Sequence, residues 1–303
     1  MGEVIVRLKG GLGNQLFQYA SAYSFCKKHN LDLKFDLSFY NESRYNDIYR
    51  LEYYDLEINE ISKRKKELLK SYLKNKKSQK RVLKLLNIFK KDNDLFEVVK
   101  ASSLKNIMNR EIHDTCYLFD DWFVNPDFFK NYRGELTRMF TPIHLSDESK
   151  QVLKNIQTCN SISVHVRRGD YVGNPYFNNL NESYYLPAIK EMQESMEDVI
   201  FYFFSNDTDY VMNTFKDVTN KVIVSINSTQ LNKYSTKGDV EDLYLMANCK
   251  GQIIANSTFS WWGAFLNNNP NPKIIAPIKW YNDKKAQNNY QKSSLILNNW
   301  SKI

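Results

Sequence analysis

Short apolar runs alternate with longer amphipathic stretches along most of the chain. Near the N-terminus, an apolar run at 4–8 is followed by a glycine turn and by residues 16–29, whose apolar positions recur at helical spacing. A second apolar run follows at 31–35. This order of strand, turn, helix and strand is typical of the first half of a βαβ unit. We predict a further strand at 115–123 and a helix at 126–140.

The second half of the chain alternates more regularly. Apolar strands are predicted at 162–166, 199–204, 222–225, 251–255 and 274–276, with helices between them at 182–196, 208–215 and 239–249. Strands that alternate with helices form parallel sheets. Because both halves show the alternation, we predict an α/β fold with two Rossmann-like domains whose parallel sheets face each other across a cleft. The expected domains are residues 1–150 and 151–303, with the junction between 142 and 160.

Polar side chains follow the predicted strands of the second half. Arg167 and Arg168 follow one strand, Asp207 follows the next, and the run Asn-Ser-Thr at 256–258 opens a helix. Ligands of open α/β sheets bind at the carboxyl ends of the strands, and arginine forks and helix N-termini both bind phosphate. We therefore predict an anion site, in which Asp207 accepts hydrogen bonds from a guanine. The alternatives are that the arginines pair with surface carboxylates and that the acid and hydroxyls only cap helices.

Composition places the chain among globular proteins, since 42% of its 303 residues are hydrophobic and 14% are aromatic. The net charge of +8 comes from one segment, because residues 63–91 contain 13 Lys and Arg against one acid, a net +12 that leaves −4 for the rest. Its apolar stripe consists of Val82, Leu85, Leu86 and Phe89. We interpret the helical segment 61–92 as either a solvated helix or a helix that contacts an anionic membrane surface. We expect no nucleic-acid partner, although retention of RNA or DNA by residues 63–91 is an alternative.

Cysteine and histidine usage gives no sign of a disulfide frame or of a zinc site. The four cysteines and four histidines are dispersed, without a CxxC pair or metal-ligand spacing. The N-terminal residues carry charge from Glu3 onward, unlike a signal peptide, and no run of about 18 apolar residues predicts a transmembrane helix. We expect a cytoplasmic protein, peripheral at the inner face of the membrane if residues 63–91 contact lipid.

A motif in the first half matches part of a dinucleotide-binding fingerprint. Gly11 and Gly13 follow the first strand, and Asp36 ends the second. Leu16 stands where the third glycine is required, so the motif favours a tight turn. An NAD-dependent oxidoreductase is therefore kept only as an alternative from a different class.

Three longer motifs occur in the same order as in a known enzyme family. They are Gly-Gly-Leu-Gly-Asn-Gln-Leu-Phe-Gln-Tyr-Ala at 10–20, His-Val-Arg-Arg-Gly-Asp-Tyr at 165–171 and Ile-Ala-Asn-Ser-Thr-Phe-Ser-Trp-Trp-Gly-Ala at 254–264. Together they resemble the bacterial α-1,2-fucosyltransferases of glycosyltransferase family 11, across nearly the whole chain. The resemblance implies a GT-B fold, with residues 1–150 as the acceptor-side domain and residues 151–303 as the domain that binds the GDP-sugar. It also implies GDP-β-L-fucose as the donor, inversion at the anomeric carbon, and no required metal or other cofactor.

The resemblance also implies roles for individual residues. Arg167 corresponds to the arginine on the β-phosphate of the donor and is our candidate catalytic residue, while Arg168 supports the fold or the phosphate. Asp207 corresponds to the acid that reads guanine, and His165 lies beside the guanine or the ribose. The predicted donor-binding residues are Asn14, His165, Arg168, Asp207, Asn256, Ser257, Thr258 and Phe259.

The chemistry of transfer agrees with the role of Arg167. As the glycosidic bond breaks, the leaving GDP gains negative charge, so an arginine fixed at the β-phosphate binds the transition state more tightly than the substrate. Inversion also calls for a base near the acceptor hydroxyl. The candidates are Asp36 and Asp170, with Glu42, Asp120 and Asp121 as further carboxylates. Asp207-x-Asp209 resembles a metal-holding pattern, but two arginines neutralise a diphosphate without a metal.

The sequence therefore predicts an enzyme that moves L-fucose from GDP-β-L-fucose to the 2-hydroxyl of a terminal galactose, in O-antigen or similar surface-polysaccharide synthesis. The acceptor is a galactose-terminated oligosaccharide, lipid-linked if residues 63–91 contact a membrane. Transfer of another GDP-6-deoxyhexose, such as colitose, on the same scaffold is the main alternative. The acceptor glycan, the linkage and the oligomeric state do not follow from the sequence.

Overall fold

The computed structural model describes residues 2–41, 47–74, 96–112, 115–224 and 238–303. The chain divides into two compact units. The N-terminal unit comprises residues 1–51 and 56–132, and the C-terminal unit comprises residues 52–55 and 133–303. The division near residue 132 lies earlier than the predicted boundary at 150. Residue 150 falls within a helix whose Ile156 packs into the core of the second unit, so that helix belongs to the C-terminal unit.

The N-terminal unit contains a parallel sheet of four strands, in the order β2-β1-β4-β3. The strands are β1 (Glu3–Arg7), β2 (Asp32–Asp36), β3 (Phe96–Val99) and β4 (Cys116–Phe119). Val4 of β1 lies opposite Leu33 of β2 on one side and Tyr117 of β4 on the other. The chain passes from β1 to β2 in one direction and places β3 and β4 in the other, so the sheet switches direction between β1 and β4.

Three helices accompany this sheet in the described part of the N-terminal unit. They are α1 (Leu12–His29), α2 (Lys63–Lys74) and α3 (Ala101–Ile107). The predicted start of α1 at residue 16 is wrong, because Leu12 and Leu16 are both buried and the apolar face extends back to the glycine turn. The segment 96–107 was not predicted at all, since a four-residue strand and a seven-residue helix are too short to show a clear period.

The C-terminal unit contains a parallel sheet of six strands, in the order β10-β9-β8-β5-β6-β7. The strands are β5 (Asn160–Val166), β6 (Val199–Ser205), β7 (Lys221–Val224), β8 (Gly251–Ile253), β9 (Lys273–Ala276) and β10 (Ser301–Lys302). Starting from β5, the chain adds β6 and β7 on one side and then β8, β9 and β10 on the other. This is the strand order of a doubly wound Rossmann sheet, with its switch point between β5 and β8.

Seven helices are described in the C-terminal unit. They are α4 (Arg133–Met139), α5 (Asp147–Thr158), α6 (Glu182–Ser195), α7 (Thr208–Thr214), α8 (Gly238–Asn248), α9 (Thr258–Phe265) and α10 (Lys284–Lys292). The predicted helices at 182–196, 208–215 and 239–249 are confirmed. The predicted helix at 126–140 is instead two short 3-10 turns followed by α4. Pro126 opens the first turn, and the N–H of Asp127 is bound by Asn125.

The sheet of the C-terminal unit is buried on both faces. β5 and β6 pair over seven residues, and Phe201 and Phe203 of β6 point into one core layer while Tyr202 and Phe204 point into the other. A strand covered on both faces needs a continuous apolar sequence rather than an alternating one. Each buried aromatic or aliphatic side chain contributes roughly 1.5–3 kcal/mol relative to an exposed one. This core holds the ends of β5, β6 and β8 in fixed positions.

The basic segment is described only up to Lys74. In α2, Leu69 belongs to a buried cluster with Ile5 and Leu118, while Glu67 and Lys70 are exposed. The stripe of Val82, Leu85, Leu86 and Phe89 lies outside the described residues, so its interpretation stays a prediction. Among the residues that the structure describes, no helix combines the length and apolar character needed to cross a membrane.

Candidate active site

The carboxyl ends of β5 and β8 lie side by side at the switch point of the C-terminal sheet. In sheets of this kind, the ligand crevice opens at the carboxyl ends of the strands that flank the switch. Arg167 and Arg168 directly follow β5, and the residues after β8 lead to α9 through Ser257. Asp207 follows β6, the neighbour of β5 on the other side. The structure therefore brings the three predicted polar strand ends to one edge.

The guanidinium of Arg167 is bound through one of its nitrogens, but its Nε has no hydrogen-bond partner. Its Nη2 donates to Asp170 Oδ1 at 2.5 Å, and its guanidinium lies 5.4 Å from the ring centroid of Tyr171. The Arg167 Nε is buried and has no hydrogen-bond partner, although the side chain as a whole is 32% exposed. Leaving a buried charged donor unpaired costs about 1–3 kcal/mol or more. A bound anion would remove this penalty.

Arg168, unlike Arg167, has partners within the protein for its Nε and for the face of its guanidinium. Its Nε donates to Asp207 Oδ2 at 3.1 Å, and its guanidinium lies 3.7 Å from the ring centroid of Tyr210. The backbone N–H of Arg168 donates to Asn206 Oδ1 at 3.0 Å. An arginine with a carboxylate partner and a stacked ring is well packed and charge-balanced. These contacts favour a role for Arg168 in shaping the turn after β5.

Asp207 caps helix α7, as the capping interpretation predicts. Its Oδ1 accepts the backbone N–H of Tyr210 at 3.0 Å, and its Oδ2 accepts from Arg168 Nε. Each carboxylate oxygen has a second lone pair, so these bonds do not exhaust its acceptor capacity. Recognition of guanine by Asp207 therefore stays a prediction from the family resemblance.

Gly169 is required by the turn that carries the two arginines. Its φ is +43°, and a Cβ at this position would lie 2.2 Å from Nδ2 of Asn206. The side chain of Asn206 therefore fills the space beside the glycine while its oxygen binds the Arg168 N–H. A residue other than glycine here is disfavoured both by the backbone conformation and by the side chain of Asn206, which would have to move.

His165 is buried at the end of β5, with its ring 5.3 Å from that of Phe259 in α9. Its Nδ1 is buried without a hydrogen-bond partner. Burial, together with the nearby charge of Arg167, lowers the pKa of His165 to about 3, so the imidazole is neutral at physiological pH. Arg167 is thereby left as the cation at this point of the edge.

The N-terminus of α9 lies at the same edge of the sheet, after the end of β8. Ser257 caps the helix, its Oγ accepting the N–H of Phe259 at 3.3 Å, as the capping interpretation predicts. Asn256 Nδ2 donates to the carbonyls of Asn178 and Trp280, both at 2.7 Å. This side chain therefore ties two loops together and leaves the helix N-terminus well fixed. Thr258, the first residue of α9, is partly buried at the same place.

Tyr171 connects the turn after β5 to the segment that leads into α9. Its hydroxyl donates to the carbonyl of Asn256 at 3.2 Å, and its ring stacks on Phe177 at 4.3 Å. Burial raises the pKa of the Tyr171 phenol, so the hydroxyl stays protonated and able to donate. The guanidinium of Arg167 lies over the Tyr171 ring, and the Tyr171 hydroxyl binds the residue before the α9 cap. Arginine forks and helix N-termini are both groups that bind phosphate oxygens.

Two predicted site residues, Asn14 and Asp36, lie in the N-terminal unit. Asn14 is in the first turn of α1, and its side chain packs against Gly10. Asp36 is 1% exposed, and its two carboxylate oxygens accept from the N–H and the hydroxyl of Ser38, at 3.1 and 3.0 Å. A carboxylate committed in this way has a structural role, which makes Asp36 a poor candidate base. Asp170, by contrast, is 63% exposed beside Arg167.

Three residues that contribute to this edge were not named in advance as site residues: Asn206, Tyr171 and Tyr210. Tyr171 ends the motif at 165–171, so the motif itself was a signal for it. Tyr210 follows Asp207 by one helical turn, a spacing typical of capped residues. Asn206 gave no sequence signal, because its role depends on the approach of β5 and β6.

Metal binding receives no specific support from the geometry. Among the described residues, no group of three or more His, Cys, Asp or Glu side chains is close enough to hold a metal ion. In the Asp207-x-Asp209 pattern, Asp207 faces N–H donors rather than a shared site. Metal independence stays an expectation from the family resemblance.

The fold and the edge together define the class of this protein: an α/β protein of the GT-B type, with two parallel sheets and a basic ligand edge at a strand switch. The chain belongs to glycosyl transferase family 11, whose model matches residues 3–303. This membership confirms the resemblance of the three motifs and leaves the oxidoreductase alternative without support.

Relatives and a solved structure agree with this assignment. The chain is 30% identical over 285 residues to an alpha-1,2-colitosyltransferase of Escherichia coli, with 93% of each chain covered. It is 31% identical over 316 residues to the O-antigen biosynthesis glycosyltransferase WbnK of Escherichia coli, with 97% of this chain and 98% of WbnK covered. It also matches a crystal structure of NodZ alpha-1,6-fucosyltransferase soaked with GDP-fucose, at a TM-score of 0.54 and 14% identity, with 91% of this chain and 95% of that chain covered. At this identity, the structural likeness shows the fold alone.

Proposed function

We propose that this glycosyltransferase moves L-fucose from GDP-β-L-fucose to the 2-hydroxyl of a terminal galactose, with inversion and without a metal. The observation that carries the proposal is the buried Nε of Arg167, which has no hydrogen-bond partner and lies in the turn that Tyr171 joins to Asn256, just before the cap of α9. A diphosphate supplies oxygens for both groups. The GDP-fucose soaked into the structural neighbour and the sugar-transferring relatives support the choice of donor.

Arg167 acts in this proposal on the leaving group. Departure of GDP moves negative charge onto the β-phosphate, and a fixed guanidinium stabilises that charge more in the transition state than in the bound donor. The N–H groups at the start of α9 face the same diphosphate. The partly buried ring of Phe259, packed against the buried and neutral His165, provides an adjoining surface for the nucleoside.

Asp170 is proposed to position Arg167. In the absence of donor, it accepts from Arg167 Nη2 at 2.5 Å and so holds the guanidinium at the edge of the sheet. In an inverting transfer the acceptor hydroxyl attacks the face of the sugar opposite the leaving GDP, whereas Asp170 lies on the arginine assigned to the leaving group. Its contribution is therefore to the placement of Arg167 and not to removal of the acceptor proton.

Colitose, the 3-deoxy counterpart of fucose, is the second candidate for the transferred sugar. The alpha-1,2-colitosyltransferase relative, at 30% identity, specifically favours it. The two donors are separated by one hydroxyl. A site that hydrogen-bonds this hydroxyl rejects the deoxy sugar by about 10⁴-fold or more, whereas an apolar site rejects the added hydroxyl by only about 10².

The acceptor is proposed to be a galactose-terminated oligosaccharide of O-antigen type, in line with the WbnK relative. A lipid-linked acceptor and a peripheral membrane position through residues 63–91 belong to the same proposal. Co-sedimentation of the chain with anionic vesicles at low and high salt tests the membrane contact, since a basic segment releases at high salt.

The donor is tested by incubating the purified chain with GDP-fucose and GDP-colitose, each with a panel of galactose-terminated acceptors. We expect an α-1,2-linked product, identified by NMR, from at least one of the two donors. The ratio of kcat/KM for the two donors assigns the sugar. Transfer only from UDP-sugars, or turnover that requires an added divalent metal, would contradict the proposal.

A further inference from the structure

The sheet of the N-terminal unit has a switch point of its own, between β1 and β4. Lys9 and Gly10 follow the carboxyl end of β1, and Asp120, Asp121 and Trp122 follow that of β4. By the rule for open parallel sheets, a ligand crevice is expected at this edge as well. The residues that occupy it differ in chemistry from those of the C-terminal unit.

Trp122 is exposed at this edge and held rigidly. It is 44% exposed, so a large part of its indole surface faces solvent. Its backbone N–H donates to Asp121 Oδ1 at 2.8 Å. The next residue, Phe123, is fully buried and adopts a left-handed φ of +52°. Residues other than glycine in this conformation cluster at active sites and ligand-binding segments.

The backbone of Gly10 lies against the indole of Trp122. A Cβ on Gly10 would lie 2.8 Å from Cζ3 of Trp122 and 2.9 Å from Nδ2 of Asn14, and its φ is +79°. The indole therefore packs directly on the glycine backbone. The carbonyl of Gly10 in turn accepts from Gln15 Nε2 at 2.9 Å and from the hydroxyl of Tyr40 at 3.0 Å. The Gly10 backbone prevents the indole from packing deeper into the protein, so part of the ring surface stays accessible to a ligand.

Charged hydrogen-bonding groups lie beside the indole. Lys9 Nζ is 5.1 Å from the Trp122 ring centroid and 3.0 Å from Asp120 Oδ1. Burial alone would raise the pKa of Asp120, but the charges of Lys9, Lys100 and Arg7 outweigh it and hold that pKa below its usual range. Asp120 is therefore a carboxylate acceptor matched by cations. It is not suited to act as a base.

We propose that Trp122, with Lys9 and Asp120, forms the subsite that holds the acceptor sugar. The inference rests on the proposed function. A pyranose has one face of C–H groups, which packs on an exposed indole, and a rim of hydroxyls, which the ammonium and carboxylate bind as donor and acceptor. The cations of this edge already pair with Asp120 and Asp36 within the protein, so a ligand does not have to supply a charge and a neutral sugar can bind.

The subsite is tested with the full chain and three variants, Trp122→Ala, Trp122→Phe and Ile143→Ala. Ile143, 52% exposed in the C-terminal unit, serves as the control for loss of an exposed apolar side chain. KM for N-acetyllactosamine is measured with a saturating donor, and binding of the same disaccharide to the GDP-loaded protein is measured by saturation-transfer NMR. GDP affinity is measured by calorimetry.

We expect Trp122→Ala to weaken disaccharide binding and raise its KM by about tenfold, the scale of one aromatic stacking contact with its buried area. Trp122→Phe should fall between Trp122→Ala and wild type, and Ile143→Ala should match wild type. GDP affinity should not change in any variant.

An unchanged KM in Trp122→Ala, in an enzyme whose wild type is active, overturns the subsite and leaves the proposed function standing. A loss of GDP affinity in Trp122→Ala also overturns it, because the indole would then contact the nucleotide. If Trp122→Ala does not fold, Trp122→Phe decides the question through the same KM. A wild type that binds GDP but neither binds nor glycosylates any galactose-terminated sugar overturns both proposals together.

Discussion

The two sheet edges carry their charges in different ways. In the N-terminal unit, Asp120 Oδ1 lies 3.0 Å from Lys9 and 4.0 Å from Arg7, and Oδ2 lies 3.3 Å from Lys100. The Nε of Arg7 lacks a hydrogen bond, but Asp36 lies 3.8 Å away and matches its charge. In the C-terminal unit, Arg167 pairs with Asp170 through Nη2 only, and its buried Nε has no hydrogen-bond partner. Asp120 is 14% exposed, whereas Asp170 is 63% exposed, so an anion competes for Arg167 more easily than for the cations around Asp120.

Loss of Arg167 gives the largest expected effect. In Arg167→Ala, kcat should fall by about 10²–10³, because one preorganised donor to the leaving group is removed. Arg167→Lys should recover part of the rate, since it restores the charge without the planar fork. The thermal midpoint should stay near that of wild type, because the side chain has one exposed partner. Arg138→Ala, at an exposed position of α4, is the matched control. Near-normal turnover in Arg167→Ala would contradict the assignment of Arg167 to the leaving group.

Gly169→Ala tests whether the shape of the turn matters as much as its charge. The new Cβ would meet Asn206 at 2.2 Å, and φ of +43° disfavours alanine. We expect a loss of about 1–3 kcal/mol in the free energy of unfolding, with lower kcat. Gly134→Ala in α4, where nothing lies within 4 Å, should instead be neutral or stabilise by about 0.5–1 kcal/mol. Equal behaviour of the two variants in urea unfolding would argue against the strained turn.

A pair of Asp→Asn variants sharpens the contrast between the edges. Asp120→Asn leaves several cations without their carboxylate at a side chain only 14% exposed, so we expect a loss of about 1–3 kcal/mol in stability. Asp170→Asn removes an exposed partner and should change stability by no more than about 0.5 kcal/mol. Its effect should appear in kcat instead. An equal loss of stability in the two variants, measured by denaturant titration, would show that the two edges do not differ in how tightly their carboxylates are held.

The pH dependence of stability provides a further expected effect, of at most about 2 kcal/mol between pH 6.5 and 5. His165 stays neutral in the folded state down to about pH 3, whereas the unfolded chain takes up a proton near its ordinary pKa of 6.5. Stability from this group is therefore complete above pH 6.5 and falls as the pH drops, by at most about 1.4 kcal/mol per pH unit. Between pH 6.5 and 5, His165→Gln should flatten the dependence measured by urea unfolding, and exposed His144→Gln should not. An unchanged slope in His165→Gln would place the imidazole in a solvated environment.

The sequence predicted the alternation of strands and helices well where elements were long. β6, α6 and α8 were predicted within about two residues, because a buried strand and amphipathic helices leave clear patterns. The segment 96–107 was missed because short elements show little period. α1 was predicted to start too late, because Gly10 and Gly11 before the helix and Gly13 in its first turn look like a loop.

The candidate site was predictable in part. Arg167 and Ser257 belong to recognisable motifs at strand ends, and their positions follow from the parallel sheet. The bond between Arg168 and Asp207 joins residues 39 apart in sequence and depends on the register of β5 against β6, which no local pattern encodes. The burial that commits Asp36 to Ser38 is likewise a property of packing. Sequence reasoning thus found which residues lie at the edge, but not how their charges are shared.

The hydroxyl of Tyr171, bound to the carbonyl of Asn256, has a consequence for the thermodynamics of ligand binding. The turn after β5 and the start of α9 are already fixed to each other through this bond, so the ligand does not have to bring them together. Ordering each free side chain or loop on binding costs about 0.5–1.5 kcal/mol per immobilised group. With that ordering completed during folding, most of the attraction between guanidinium, helix and diphosphate remains available as affinity, and association should need little rearrangement of the backbone.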